Sequence, residues 1–337
     1  MGKRYRVAVI EPLSSLGGEI IRILEERNFP IQEIIPLGAP RNLGRTVDFA
    51  GFSLRAGVLE AKALSGVDLA FFTTDRSLSR EYSPKAVQQG CTVIDCSSEF
   101  SLHEQVPLVI PEINAALIKK HSGIIASPGS STIQLVLPLY PIHKAARIRR
   151  ILVSTYQAVS DNGQRALDEL SEQIRNLFTF QEVHSEVYPH QIAFNILPHV
   201  GSFSSSAYTD GELSLMNETK KIFEDEKIRI SATAVRVPVF YAHSESVHFE
   251  TARKITPEEA RKMITAMPGV YVTDDPAGAS YPTAVGAAGR DECFVGRIRE
   301  DASFDNGLAL WTVCDNLRKG SALNAVQIAE HLVGNTP

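Results

Sequence analysis

Apolar, β-branched runs separated by turns and by segments of helical period fill the first 129 residues, and this alternation constrains the fold more than any other feature. Residues 5–10 read as a buried parallel strand, and residues 17–27 place Ile20, Ile21, Ile23 and Leu24 at helical spacing. Similar runs follow at 32–37, 67–74 and 91–97, with another leading into the stretch that begins at residue 123. Strands and helices alternating this way predict an α/β fold, a doubly wound, Rossmann-like and mostly parallel sheet. Beyond residue 129 the pattern changes. A strand is expected at 150–156 and a helix at 164–178, striped by Leu167, Leu170, Ile174 and Leu177. An amphipathic helix is expected at 211–227, antiparallel strands at 229–239 and 247–250 on either side of His243, and further strands with long connections at 270–313. These predict a second, α+β domain. The apolar-striped helix at 322–332 should return to the first domain, giving a division into 1–129 plus 318–337 and 130–317.

A chain of 337 residues with 44% hydrophobic content can bury two cores. Its net charge of -5 supplies no basic field for nucleic acid or an anionic membrane, so an amino-acid-like small molecule or a protein is the expected partner. The four cysteines, Cys91, Cys96, Cys293 and Cys314, form no Cys-x-x-Cys pair, and a chain this long needs no disulfide staple. They read as reduced thiols, and no metal site is expected. The apolar run behind the basic N-terminus is too short for a signal sequence, and no run approaches the roughly 18 residues of a membrane span. The expectation is a soluble, cytoplasmic protein.

Residues 123–134, Gly-Ile-Ile-Ala-Ser-Pro-Gly-Ser-Ser-Thr-Ile-Gln, end a strand in a tight turn and begin a helix. Taken alone, Ser130, Ser131 and Thr132 are capping hydroxyls. A nucleophile at Ser130 would also face free backbone N–H groups and the positive end of a helix dipole, which stabilise an oxyanion. Two other stretches carry complementary chemistry: Ser154-Thr155-Tyr156-Gln157-Ala158 at a strand end, and Arg236-Val237-Pro238 shortly before His243-Ser244-Glu245. With Asp315-Asn316-Leu317-Arg318-Lys319-Gly320 near the C-terminus, their order and spacing resemble the aspartate-β-semialdehyde dehydrogenase family over almost the whole chain. That family's patterns are Asn-Pro-x-Cys-Ser-Thr-Ile-Gln, Ser-Thr-Tyr-Gln-Ala and Arg-x-Pro-x4-His-Ser-Glu.

The resemblance implies a homodimeric, NADP-dependent enzyme in which His243 is acid and base, Arg236 grips a substrate carboxylate and Gln157 orients the substrate. It also implies that Glu218 binds an amino group, Lys221 contacts phosphate, and Ser14, Gly17, Arg41 and Asn316 meet the cofactor. Several positions depart from the family pattern. Its nucleophilic cysteine falls on Ser130, and a hydroxyl ionises far less readily than a thiol. Glu11 and Ser14 stand where the dinucleotide loop has glycines, and Pro12 lacks an N–H; a carboxylate there is expected to repel a diphosphate. Asp75-Arg76 replace a glycine pair under the cofactor, and Ser101 replaces a phosphate-binding arginine. Three readings follow: a catalytically impaired paralogue kept for a binding or regulatory role, which these departures favour; a weak NADP-dependent dehydrogenase; and a Ser130–His243 acyl hydrolase whose nearest sequence carboxylate is Glu245.

Overall fold

The computed structural model describes residues 3–334. It divides into two compact units, residues 1–129 with 321–337 and residues 130–320. Residues 1, 2 and 335–337 of the expected first domain lie outside the described residues. The first unit contains β1 (Tyr5–Ile10), α1 (Ser15–Glu26), β2 (Ile31–Gly38), β3 (Thr46–Phe49), β4 (Phe52–Arg55), β5 (Gly57–Val58), β6 (Leu69–Phe72), α2 (Arg76–Gln88), β7 (Thr92–Asp95), α3 (Pro111–Asn114) and β8 (Ile124–Ala126). The second contains α4 (Ser130–Ala146), β9 (Ile148–Gln157), α5 (Gln164–Phe178), α6 (Asp210–Phe223), β10 (Arg229–Arg236), β11 (His243–Thr251), α7 (Pro257–Thr265), β12 (Val270–Val272), α8 (Ala284–Ala287), β13 (Cys293–Glu300) and β14 (Gly307–Cys314), after which α9 (Leu323–Val333) rejoins the first unit.

The first sheet has strand order β5-β2-β1-β6-β7-β8 and is parallel throughout. Side chains alternate across a strand, so Val7 and Val9 enter one core while Ala8 and Ile10 enter the other. Both faces are covered, which is why β1 reads as an uninterrupted apolar run rather than an alternating one. Helix α1 supplies Ile20, Ile23 and Leu24 to the first core, and α9 adds Val326 and Ile328 to it. Each such side chain stabilises by about 1.5–3 kcal/mol when fully buried. Polar contacts set the register of α9: Asn324 Nδ2 donates to the Val109 carbonyl and to Ser127 Oγ, both at 2.9 Å, and Arg27 forms a two-pronged pair with Glu330 at 2.7 and 2.8 Å.

The second sheet has order β10-β9-β11-β14-β13-β12 and is mixed. The expectation of an antiparallel strand over 229–239 is corrected here, because β10 lies parallel to β9. The helical crossover through α5 and α6 returns the chain in its original direction, and side-chain alternation carries no information about a neighbour's direction. His243 is the first residue of β11, not a loop residue, and β11 is antiparallel to β9 and β14. Helix α6 stops at Phe223, short of the expected residue 227, because Glu224 adopts a left-handed conformation (φ 53°) that ends the helical hydrogen bonding. Among the described residues, no helix is long and apolar enough to cross a membrane.

Candidate active site

Strand directions create the site in the second unit. β9, β10 and β14 all run one way and β11 the other, so the ends of the first three and the start of the fourth meet at one edge. Arg236 pairs in register with Gln157, and His243 with Cys314, just ahead of Asp315 and Asn316. Helix α4 begins at the same edge, since Gln157 Nε2 donates to Ser131 Oγ at 3.1 Å. The expectation that Ser131 and Thr132 cap this helix gives way to longer-range roles: Ser131 anchors Gln157, and Thr132 Oγ1 donates to Glu218 Oε2 at 2.6 Å. Ser130 is the first residue of α4 and partly exposed. Gly320 packs so closely that a Cβ on it would lie 3.0 Å from the Ser130 Cβ, which is a reason for glycine there.

The electrostatic centre of the site is Asp161, a residue that sequence reasoning missed. Its Oδ2 accepts from Arg236 Nη2 at 2.9 Å, and its Oδ1 lies 3.8 Å from His243 Nε2. Burial pushes the Asp161 carboxyl up, but Arg236 and then His243 outweigh it and hold the group well below the usual carboxylate range. Arg236 also donates from Nη1 to the Ala158 carbonyl at 2.7 Å. Asp161 lies in Ser-Asp-Asn-Gly, a stretch whose turn chemistry conceals a site role.

The His243 ring is fully buried, and burial lowers its pKa below the ordinary imidazole value, so the neutral form dominates near pH 7. Nδ1 accepts from the Ala158 N–H at 3.0 Å. In the neutral ring the proton therefore sits on Nε2, which makes Nε2 a donor. His243 can give a hydrogen bond to a developing oxyanion, but in this tautomer it cannot take a proton from Ser130. No hydrogen bond joins it to Ser130. Glu245, the carboxylate considered for a triad, points elsewhere: it is completely buried with neither oxygen hydrogen-bonded, and burial raises its pKa well above normal.

Asn316 Oδ1 accepts from Ser160 Oγ and the Ala242 N–H, both at 3.1 Å, joining this residue to the same cluster. Glu218 is fully buried on α6, and burial lowers the pKa of half-buried Lys221 against the opposing pull of Glu218. Arg236 Nε, His243 Nε2 and Asn316 Nδ2 are buried and make no hydrogen bond within the protein. Among the described residues, no group of three His, Cys, Asp or Glu side chains could hold a metal ion.

In the first unit, Ser14 caps α1 by accepting from the Gly17 N–H at 3.0 Å. Gly17 is required because a Cβ there would overlap the Glu11 carbonyl oxygen. Arg41 is exposed and makes no ion pair or hydrogen bond among the described residues. Asp75 was expected to bring bulky charge under a cofactor; instead it caps α2, accepting from the Leu78 N–H and from the Ser77 hydroxyl, which holds its carboxyl below the ordinary value. The expected repulsion between Glu11 and a diphosphate also needs revision, because its carboxylate is turned toward the loop after β2. Ser101 is buried.

Residues 139–319 match the family model described as semialdehyde dehydrogenase, dimerisation domain, and residues 6–121 match the one described as semialdehyde dehydrogenase, NAD binding domain. Aspartate-semialdehyde dehydrogenase of Aquifex aeolicus is 46% identical over 333 residues, 98% of each chain. The chain belongs to the aspartate-semialdehyde dehydrogenase family. The enzyme of that name from Legionella pneumophila is 46% identical, covering 98% of this chain and 96% of the other. The crystal structure of aspartate semialdehyde dehydrogenase II from Vibrio cholerae superimposes with a TM-score of 0.95 at 39% identity, over 99% of this chain and 100% of that one. The Rossmann-like sheet and the second mixed sheet are the family's fold.

Proposed function

We propose that this chain acts on aspartate semialdehyde or a close amino-acid aldehyde as a dehydrogenase of low turnover, with Ser130 standing where the family pattern has its cysteine. The observation that carries this reading is the gathering of Gln157, Arg236, His243 and Asn316 at one sheet edge beside the start of α4, with three buried polar atoms still able to bond a ligand. An unsatisfied buried group costs about 1–3 kcal/mol, a penalty a ligand removes. Arg236 would bind the substrate carboxylate by exchanging it for Asp161, Glu218 would meet the amino group, and Lys221 would meet phosphate. Gln157 orients the carbonyl; Ser130 Oγ adds to it with loss of the hydroxyl proton to solvent water, and the His243 Nε2–H donates to the oxyanion that forms. A nicotinamide dinucleotide, when bound, supplies hydride acceptance. Because no side chain among the described residues hydrogen-bonds the Ser130 hydroxyl, and a hydroxyl is a poorer nucleophile than a thiolate, turnover is slow.

The test is an assay with aspartate semialdehyde, phosphate and each nicotinamide dinucleotide on three proteins. Wild type should exceed Ser130→Ala, and Ser130→Cys should exceed wild type by about a hundredfold or more, equivalent to about 2.7 kcal/mol of barrier. Indistinguishable rates for all three would sink the reading. A second reading, an impaired paralogue kept as a binding protein, draws on the ion pair between Arg236 and Asp161, which neutralises the carboxylate-binding cation. It requires wild type to match Ser130→Ala in turnover while the substrate still raises the melting temperature. The hydrolase reading is not favoured, because the His243 proton sits on the wrong side of the dyad.

The open face of the second sheet supports a homodimer. Leu152 is 40% exposed there, and the Tyr156 and Trp311 rings, on β9 and β14, lie 5.6 Å apart across the intervening β11. Analytical ultracentrifugation should give twice the chain mass, and Trp311→Glu should give the monomer.

A further inference from the structure

Glu11 holds an unusual conformation for an acidic residue. Its φ is 56°, in the left-handed region where any side chain but glycine is strained by about 1 kcal/mol. The side chain shows why the strain is tolerated. Oε1 accepts from the Ala39 N–H at 2.6 Å, and Oε2 accepts from Asn42 Nδ2 at 2.8 Å. Gly38 leaves the room for this: a Cβ on it would stand 3.3 Å from Glu11 Oε1 and 3.2 Å from Asn42 Nδ2. A carboxylate from the end of β1 thus lies over the end of β2.

In dinucleotide-binding folds, that end of β2 decides which adenosine ribose is accepted. An acidic side chain about 20 residues beyond the glycine loop receives the free ribose hydroxyls, whereas a 2′-phosphate needs donors and a cation. The strand itself supplies no acid here, since Gly38 is its last residue. Glu11 delivers the carboxylate through space instead. It also takes the Ala39 N–H, a backbone donor at the head of the loop, and so withdraws it from any anion placed there. Arg41, two residues further on, is the nearby cation, and it faces solvent.

We propose that Glu11 makes the first unit selective for a nicotinamide dinucleotide with a free adenosine ribose, NAD, over its 2′-phosphorylated counterpart. The carboxylate accepts from the ribose hydroxyls and repels a phosphate dianion placed against it. This rests on the reading that the chain uses a dinucleotide, but it concerns binding and is independent of the chemistry at Ser130.

The test measures binding without turnover, by titration calorimetry or by shift of the melting temperature, with NAD and NADP on wild type, Glu11→Gln and Glu11→Gly. Wild type should bind NAD at least about tenfold more tightly than NADP, and both variants should bring the two affinities within about threefold. Glu11→Gln keeps the side chain's shape and Glu11→Gly relieves the backbone, so one of them should remain folded whatever the other does. Equal or tighter binding of NADP by wild type overturns the proposal. So does an unchanged ratio in the variants, or the failure of wild type to bind either dinucleotide. The dehydrogenase reading fails separately, on the turnover of Ser130→Cys.

Discussion

The polar cluster at the nucleotide end of the first unit and the one at the sheet edge of the second satisfy their hydrogen bonds in opposite ways. In the first, side chains close on nearby backbone: Ser14 caps α1, Asp75 caps α2 and Glu11 takes the Ala39 N–H. In the second, the groups are buried and only partly satisfied, with Arg236 Nε, His243 Nε2 and Asn316 Nδ2 lacking partners. Unpaired buried donors persist where surrounding strands hold them against their desolvation penalty, and they are available to a ligand without reorganisation. The comparison teaches that polar side chains can be satisfied by neighbouring backbone in one unit while buried donors at a strand edge of the other remain available to a ligand.

The largest expected effect is on that prepared cluster. Arg236→Leu leaves the Ala158 carbonyl and the partly exposed Asp161 carboxylate without their donor, and should lower stability in urea unfolding by about 2–3 kcal/mol. A loss below about 1 kcal/mol would show that the ion pair does not organise the pocket.

Next is Glu245. Its raised pKa means that the unfolded chain releases this proton at lower pH than the folded chain does, so its contribution to stability falls as pH rises from the unfolded value toward the folded one. Glu245→Gln removes the titration. Its stabilisation relative to wild type should therefore grow as pH rises above the ordinary carboxylate range, by no more than about 1.4 kcal/mol per pH unit. A pH-independent difference would mean that the carboxyl is paired in solution.

Asp161→Asn should cost about 1 kcal/mol at pH 7, a modest figure because roughly a third of the side chain is exposed and solvent screens the pair. A lowered carboxyl pKa stabilises above the unfolded value near 4 and is lost as pH falls through the folded value, so the cost of this substitution should vanish in acid. If the ion pair competes with substrate, the same variant should bind a dicarboxylate such as succinate more tightly than wild type. The smallest change is expected at the closed end. Glu11→Gly loses two hydrogen bonds and regains backbone ease, and its stability should stay within about 1 kcal/mol of wild type. A larger loss would make Glu11 a structural strut.

Much of this was legible in the sequence because it depends on local order. The apolar runs of β1 and β2 and the stripe of α1 report burial directly, since periodicity follows from backbone geometry. The motifs around Gln157, Arg236 and His243 identified the family because spacing along the chain survives folding. Asp161 was not legible, because a carboxylate in an Asp-Asn-Gly turn has the same local signature whether or not an arginine from another strand closes on it. The direction of Glu11 was hidden for a related reason: its partners lie 28 and 31 residues away, at the end of a different strand.

The sequence by itself determined the two-layer alternation, the burial of each strand and the residue types available to the site. Only the tertiary structure decided that β10 runs parallel to β9, that His243 carries its proton on Nε2, and which carboxylate faces which cation. Charge pairing and tautomer depend on distances of a few ångströms between segments far apart in the chain, and side-chain period holds no record of those distances.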